Sequence, residues 1–117
     1  MLLEDYISKI KTHPENIIFD DTLAIIDSNY DFKETEFSNG EEVNKAGENS
    51  GSCKVFAFAI IQNLSKDDTL SLFAQYYFND VLKNPEGSDH QNIRQFMVHG
   101  FAGVNFLGEA LIKKETV

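Results

Sequence analysis

The sequence predicts an α+β fold that is predominantly helical, with about five helices and a small two- or three-stranded antiparallel sheet. Two observations lead to this prediction. Five segments have helical patterns: four carry apolar residues every three or four positions, the spacing that gives a helix one apolar face, and the third is apolar nearly all round. Between the second and third of these segments, aromatic and polar residues interleave before Asn39-Gly40, a pair typical of tight hairpin turns.

The chain is expected to form a single globular domain over residues 1–117. Its length lies near the commonest domain size. The composition supplies a hydrophobic core, because 42% of the residues are hydrophobic and 10 of them are Phe. Internal repeats, low-complexity segments and an interdomain linker are all missing from the sequence.

The first two predicted helices occupy the first 29 residues. One face of the first helix is formed by apolar residues at helical spacing: Leu2, Leu3, Tyr6, Ile7 and Ile10. His13-Pro14 ends this helix, since the residue before a proline is disfavoured in helical backbone. The second helix is predicted from about Asp20 to Asn29, with one of the two aspartates at its start as the cap. A strand over residues 23–26 is the alternative.

A hairpin and a polar loop are predicted in the middle of the chain. The hairpin strands lie around residues 33–37 and 42–44, on either side of Asn39-Gly40, where both residues tolerate positive φ. The following segment, Lys45–Ser52, is polar and rich in Gly, Ser and Asn, which is typical of a loop.

Three further helices and a last strand are predicted in the second half. The segment from Cys53 to Leu64 is apolar nearly all round, as expected for a helix at the centre of a fold. The next helix starts at Asp67 or Asp68 and ends at residues 83–87, and its apolar face is Leu70, Phe73, Ala74, Tyr77 and Val81. A final strand is expected around Val104–Phe106, followed by a turn at Gly108.

The last of these helices is predicted to begin at Ser88 or Asp89. Gln91 or Asn92 follows three residues later, which is the spacing of a capping box. The apolar face of this helix is expected to comprise Ile93, Phe96, Met97, Gly100 and Phe101.

Charge and cysteine content exclude several classes of function. The 19 acidic against 10 basic residues give a net charge of -9, which would repel both nucleic acid and anionic membranes. A secretory signal and a membrane-spanning stretch of about 20 apolar residues are absent. The single Cys excludes an intramolecular disulfide and favours a cytoplasmic location. No cofactor is implied, and the three histidines show no helical pair for a metal.

The segment Gly47–Lys54 is the first candidate ligand-binding site. Its candidate residues are Glu48, Asn49, Ser50, Ser52, Cys53 and Lys54. The start of a helix presents free amide groups and a dipole that favour an anion, and the same field would make Cys53 more nucleophilic. The favoured alternative is structural, because a hydroxyl cap, a turning glycine and a small packing thiol also fit these residues.

Asp89, His90 and Arg94 form the second candidate site. His90 and Arg94 lie four residues apart, so a helix would place them on one face. Arg94 is the only arginine of the chain, and its planar fork suits a carboxylate ligand. The favoured alternative is again structural, with Arg94 tying helices together through a nearby Asp or Glu.

Several of these segments together resemble the HopJ family of type III effector-like proteins. The matching segments follow family order, from about Asp20 to Leu111: Glu48–Lys54, Phe56–Ala59, Tyr76–Leu82, Asp89–Met97 and Gly100–Val104. The resemblance implies a bacterial protein related to type III effectors and implies no defined activity. Type III substrates generally begin with a polar, Ser-rich segment, whereas this chain begins with Leu2-Leu3. A resident cytoplasmic role is therefore expected.

The leading functional hypothesis is a non-catalytic binding or interaction protein. Its partner would be a small anionic ligand or another protein, bound by the Gly47–Lys54 loop, with residues 89–94 as a second candidate surface that shares this site or lies apart from it. The two polar clusters are not accompanied by an acid–base pair, a metal-ligand set or a catalytic triad in the sequence. The alternative is a small enzyme that uses Cys53 as nucleophile and His90 or His99 as base.

Overall fold

The computed structural model describes residues 2–114 and has the predicted α+β, mainly helical architecture. Its α-helices are α1 (Leu3–Thr12), α2 (Phe19–Asn29), α3 (Ser50–Ile61), α4 (Lys66–Ser71) and α5 (Gln91–His99). A π-helical segment covers Tyr76–Val81, and short 3₁₀ turns cover Pro14–Asn16 and Gly100–Gly103. Buried apolar side chains from all of the α-helices join one core cluster.

The strands form two small antiparallel sheets instead of the single sheet that was predicted. They are β1 (Tyr30–Phe32), β2 (Phe37–Asn39), β3 (Glu42–Asn44), β4 (Val104–Phe106) and β5 (Leu111–Lys113). Strand β2 lies between β3 and β4, whereas β1 pairs with β5 in a separate sheet. A hairpin and the strand at β4 are confirmed, but the first hairpin strand is Phe37–Asn39 and not residues 33–37. Asn39 pairs with Glu42, so the turn consists of Gly40, where φ is 59°, and Glu41. The β1–β5 sheet was missed.

The first two helices lie where they were predicted, and buried hydrogen bonds join them to a later segment. The predicted aspartate cap of α2 is wrong, because Ile18 is the cap residue and Asp21, inside the first turn, accepts a hydrogen bond from the Ile18 amide at 3.2 Å. Helix α1 buries Tyr6 and Ile10, and α2 is a helix, not the alternative strand. The Tyr6 hydroxyl forms a hydrogen bond with that of Thr22, which donates in turn to the Leu72 carbonyl oxygen at 2.8 Å. Both side chains are fully buried, so this chain of bonds satisfies their hydroxyl groups inside the core.

Helix α3 is the central helix, as predicted, but it begins three residues earlier. Its core-facing residues include Val55, Phe56 and Phe58, all of which are fully buried. The helix starts at Ser50 because Asn49 adopts a left-handed conformation, with φ of 50°, and turns the chain directly into the helix. The polar loop therefore ends at Asn49, earlier than the predicted end at Ser52.

The predicted fourth helix is wrong in two respects. Ser65, and not Asp67 or Asp68, is the cap residue, and its hydroxyl oxygen accepts a hydrogen bond from the Asp68 amide at 3.1 Å. The helix is also interrupted, because Ala74 adopts a left-handed conformation with φ of 53°. Residues 69–74 are buried without interruption, from the end of α4 through this break.

None of the helices described here is both long enough and apolar enough to cross a membrane.

Candidate functional site

The beginnings of α3 and α5 meet at a cavity of about 360 Å³. Asn49, Gly51 and Ser52 line it from the α3 side, and His90, Gln91 and Asn92 line it from the α5 side. The two polar segments that the sequence singled out thus contribute to the same cavity, which we call the α3–α5 cavity. Their candidate members Asn49, Ser52 and His90 are brought together in its wall.

Backbone conformation brings both helix starts to the cavity. Asn49 and His90 immediately precede α3 and α5, and both have φ of 50°. Their side chains do not cap the helices, since the Asn49 amide donates to Asn44 Oδ1 at 2.7 Å and the His90 ring contacts Asp80. The first-turn amide groups of a helix lack intrahelical acceptors and carry a partial positive charge. The cavity therefore has two positively polarised edges.

The predicted capping box at the start of α5 is wrong. Ser88 and Asp89 lie outside the helix, and the Gln91 side chain donates to the Ser88 carbonyl oxygen at 2.9 Å. The left-handed His90 separates these residues from the helix, so their side chains are not at the capping position. The first backbone amide groups of α5 therefore have no capping side chain and are available to a ligand in the cavity.

A row of aromatic rings forms another wall of the cavity. The rings of Phe73 and Phe19 are stacked with centroids 6.0 Å apart, and the Tyr76 ring lies 5.1 Å from that of Phe19. His90 continues the row, stacked on Tyr76 at 5.1 Å. All of these rings line the cavity, which is therefore polar at the helix starts and aromatic along this row.

Close packing joins the row to the start of α3. A Cβ atom at Gly51 would lie 3.3 Å from Phe19 Cζ, tighter than an ordinary van der Waals contact. Glycine at this position lets the helix start approach the Phe19 ring.

Asp80 and the π-helical segment set the orientation of His90. The segment carries Tyr76 and Asp80, and the Asp80 Oδ2 atom lies 3.0 Å from His90 Nε2. His90 is therefore held by a stacked ring on one side and a carboxylate at one nitrogen. A π-helical turn is rare, and such turns are frequent at functional sites.

A buried cluster of asparagine side chains supports the cavity from behind. Asn92 Oδ1 accepts hydrogen bonds from Asn39 Nδ2 at 3.1 Å and from Asn44 Nδ2 at 3.2 Å. Asn92 Nδ2 donates to Asn44 Oδ1 at 3.0 Å, and that oxygen also accepts from Asn49. These bonds tie the β2–β3 hairpin to the starts of both α3 and α5, so they fix the two polar edges relative to each other.

Glu42 places a carboxylate in the cavity wall. Side chains alternate along a strand, so Glu42 shares a face of β3 with the buried Asn44, while Val43 points to solvent. The Glu42 carboxylate takes part in none of the ion pairs among residues 2–114. It is the acidic side chain in the lining, and it limits how much negative charge a ligand can bring.

Cys53 does not belong to the cavity. Its side chain is only 2% exposed, and its thiol donates to the Thr35 carbonyl oxygen at 3.6 Å. Burial raises the pKa of the Cys53 thiol, the opposite of the change expected for a reactive cysteine at a helix start. Because the helix begins at Ser50, the Cys53 amide already donates to the Asn49 carbonyl oxygen, and its side chain faces the core. The nucleophile alternative is not favoured.

Glu48 and Lys54 serve local structure, and neither they nor Ser50 line the cavity. The Glu48 carboxylate accepts a hydrogen bond from the Lys45 amide at 2.8 Å, which closes the loop before α3. The Lys54 ammonium pairs with Asp27 at 2.8 Å and lies 5.0 Å from the centroid of the Phe32 ring.

Arg94 and Asp89 form an ion pair between α5 and the loop before it, so Arg94 does not tie two helices together as the structural alternative proposed. Arg94 Nη2 donates to Asp89 Oδ1 at 2.6 Å, and its other nitrogens donate to the carbonyl oxygens of Asp89 and Pro85. The hydrogen bond from Arg94 lowers the pKa of Asp89. These contacts fasten the loop before α5 to the helix, and neither residue lines the α3–α5 cavity.

Sequence reasoning missed the aromatic row, Glu42 and the asparagine cluster. The sequence predicts only a helix-capping role for Gln91 and Asn92. These residues come from separate segments, so no local spacing connects them. Three non-glycine residues with positive φ line the cavity or adjoin its lining: Asn49, Ala74 and His90. Their backbone strain is the structural signal that marks the region.

Among the described residues, no group of three or more His, Cys, Asp or Glu side chains is placed to hold a metal ion.

Comparisons with known proteins place the chain among relatives of unassigned activity. The family model described as HopJ type III effector protein matches residues 3–111. A solved structure, "Crystal structure of unknown function protein VPA0580", is 46% identical and superimposes with a TM-score of 0.94. The match covers 97% of this chain and 95% of that chain. No curated protein matches the chain.

Proposed function

This chain belongs to the HopJ type III effector protein family, and we propose that it is a non-catalytic binding protein that captures a small ligand through an anionic group. The observation that carries the proposal is the α3–α5 cavity. Two polar segments about 40 residues apart in sequence line one concavity, and the asparagine cluster holds them in place. A preformed cavity with converging polar groups is the common form of a small-molecule site.

The electrostatics of the cavity favour one anionic group. Each helix start attracts a negative charge by about 0.3–1 kcal/mol, and two starts act on the same ligand here. Glu42 opposes further negative charge in the same space. A ligand with a single carboxylate or phosphate therefore fits better than a polyanion.

The cavity is better suited to a small molecule than to a protein partner. Its volume of about 360 Å³ lies near the lower end of the range of about 300–1,000 Å³ found for ligand pockets. A protein partner would contact a broader surface, typically about 800 Å² on each side. A non-catalytic role is supported by the burial of Cys53, which removes the nucleophile that the sequence had offered.

We place this binding protein in the bacterial cytoplasm. The support is the presence of a single, buried cysteine, because proteins of oxidising compartments are the ones that commonly carry disulfides. Fractionation of cells that express the tagged chain, with and without an active type III apparatus, would test this location. Recovery in the culture medium only when the apparatus is active would contradict it.

Two charge variants test the proposed site. Ser52→Asp and Gln91→Glu each place a carboxylate in the first turn of a helix, where it favours the helix dipole but repels an anion in the cavity. The melting temperature of the wild-type chain should rise with a bound anion from a panel of phosphate and simple carboxylates, and both variants should lose the rise. Asn105→Asp, an exposed change on β4, is the matched control and should keep it. Equal responses in all four proteins would contradict the site.

A further inference from the structure

The lining of the α3–α5 cavity also specifies a class of ligand. Building on the proposed function, we propose that the cavity binds a small zwitterion with a flat ring, of the kind represented by an aromatic α-amino acid. Three separate parts of the lining carry this inference: the aromatic row, the Glu42 carboxylate and the paired helix starts.

The aromatic row accounts for the ring. Neighbouring rings of the row have centroids between 5.1 and 6.0 Å apart, in the order Phe73, Phe19, Tyr76 and His90. Three of these residues are partly exposed and line the cavity: Phe19, Tyr76 and His90. Their rings are therefore accessible to a ligand. A flat ring on the ligand can extend this row by stacked or edge-to-face contact, which an aliphatic chain matches less well.

Glu42 accounts for a positive group. Its carboxylate faces the cavity without a partner among the described side chains, and an unpaired carboxylate repels a purely anionic ligand. An ammonium group would pair with it. The opposing charges in the wall, negative at Glu42 and partially positive at the helix starts, are therefore complementary to a zwitterion.

The ligand must also be small. A cavity of about 360 Å³ holds one ring with a short zwitterionic end, and a dinucleotide-sized cofactor would exceed it. The carboxylate of the ligand would lie at Gly51, Ser52 and Gln91, its ammonium at Glu42 and its ring along Tyr76.

Four compounds separate the contributions of these groups. Phenylalanine carries all of them, 3-phenylpropanoate lacks the ammonium, phenethylamine lacks the carboxylate, and alanine lacks the ring. Titration calorimetry should show phenylalanine binding about tenfold or more tighter than each of the other three. Equal binding of phenylalanine and 3-phenylpropanoate, or of phenylalanine and alanine, would overturn the inference while leaving anion binding intact.

Variants assign the effect to named residues. Glu42→Gln should remove the preference for phenylalanine over 3-phenylpropanoate, and its neighbour Glu41→Gln, exposed and outside the cavity, should keep it. Tyr76→Leu should reduce the preference over alanine. If phosphate binds and none of the four compounds does, the zwitterion is wrong and the proposed function stands. If neither phosphate nor any of the four binds, both fail.

Discussion

Asn49 and His90, 41 residues apart, have the same left-handed backbone conformation, with φ of 50°, and each directly precedes a helix whose start lines the α3–α5 cavity. Non-glycine residues reach this conformation at a cost, and they persist where the surrounding structure holds them. Asn49 is held by Asn44, and His90 is held by Tyr76 and Asp80. The matched conformations turn two helix starts toward a common space.

Backbone strain at Asn49 predicts an unusual order of stability. Asn49→Gly and Asn49→Ala both lose the hydrogen bond to Asn44, so their difference isolates the cost of positive φ for a residue with a Cβ atom. The glycine variant should be more stable than the alanine variant by about 1 kcal/mol in urea unfolding. Equal stability of the two variants would contradict a left-handed residue at this position.

The asparagine cluster predicts a large loss from one small change. Asn92→Ala removes the shared acceptor Oδ1 and leaves the buried amide groups of Asn39 and Asn44 short of a partner. We expect the free energy of unfolding to fall by about 2 kcal/mol. Asn105→Ala, on an exposed residue, should change it by less than about 0.5 kcal/mol. Comparable losses in the two variants would show that the cluster adds no special stability.

Burial of Cys53 predicts a protected thiol. Iodoacetamide should modify the folded protein slowly at pH 8, because burial raises the pKa of the thiol and denies access to the reagent. The reaction should become complete once urea unfolds the chain. Rapid modification of the folded protein, with an apparent pKa below that of a free thiol, would restore the nucleophile alternative.

Tyr6 predicts a loss of stability at alkaline pH. Burial raises the pKa of Tyr6 to about 12, above its ordinary value of 10.0, so the folded state favours the protonated phenol. The resulting stability is fully present below pH 10 and disappears as the pH rises from about 10 to 12. The free energy of unfolding should therefore fall over this range more steeply in the wild type than in Tyr6→Phe. Parallel pH profiles would contradict the assignment to Tyr6.

Local sequence patterns were sufficient for most of the helices and for the hairpin. Each of these patterns extends over a few neighbouring residues, so it can be recognised from the sequence alone. They are the apolar spacing of α1 and α2, the apolar α3 segment and the Asn39-Gly40 pair of the hairpin. The break at Ala74 could not, because alanine is a strong helix former and only tertiary packing places it at positive φ. The β1–β5 sheet pairs residues about 80 positions apart and leaves no local pattern.

The candidate site was predictable only in part. The sequence singled out both polar segments, and Asn49, Ser52 and His90 do line one cavity. The sequence could not show that Cys53 and Arg94 lie outside this cavity. The Cys53 side chain points to the core, and the Arg94 side chain points to the loop before α5. Glu42 and the aromatic row depend on how strand and helices pack together, which composition does not encode.

Amide chemical-shift mapping shows whether one ligand contacts the starts of both α3 and α5. A ¹⁵N-labelled sample is titrated with phosphate and then with phenylalanine, and the shifts are compared along the chain. We expect saturable shifts at both helix starts, on the amides of Gly51, Ser52, Gln91 and Asn92. Shifts confined to one helix start, shifts on the distant surface around Ile60 and Leu107, or none at all would contradict a shared site between α3 and α5.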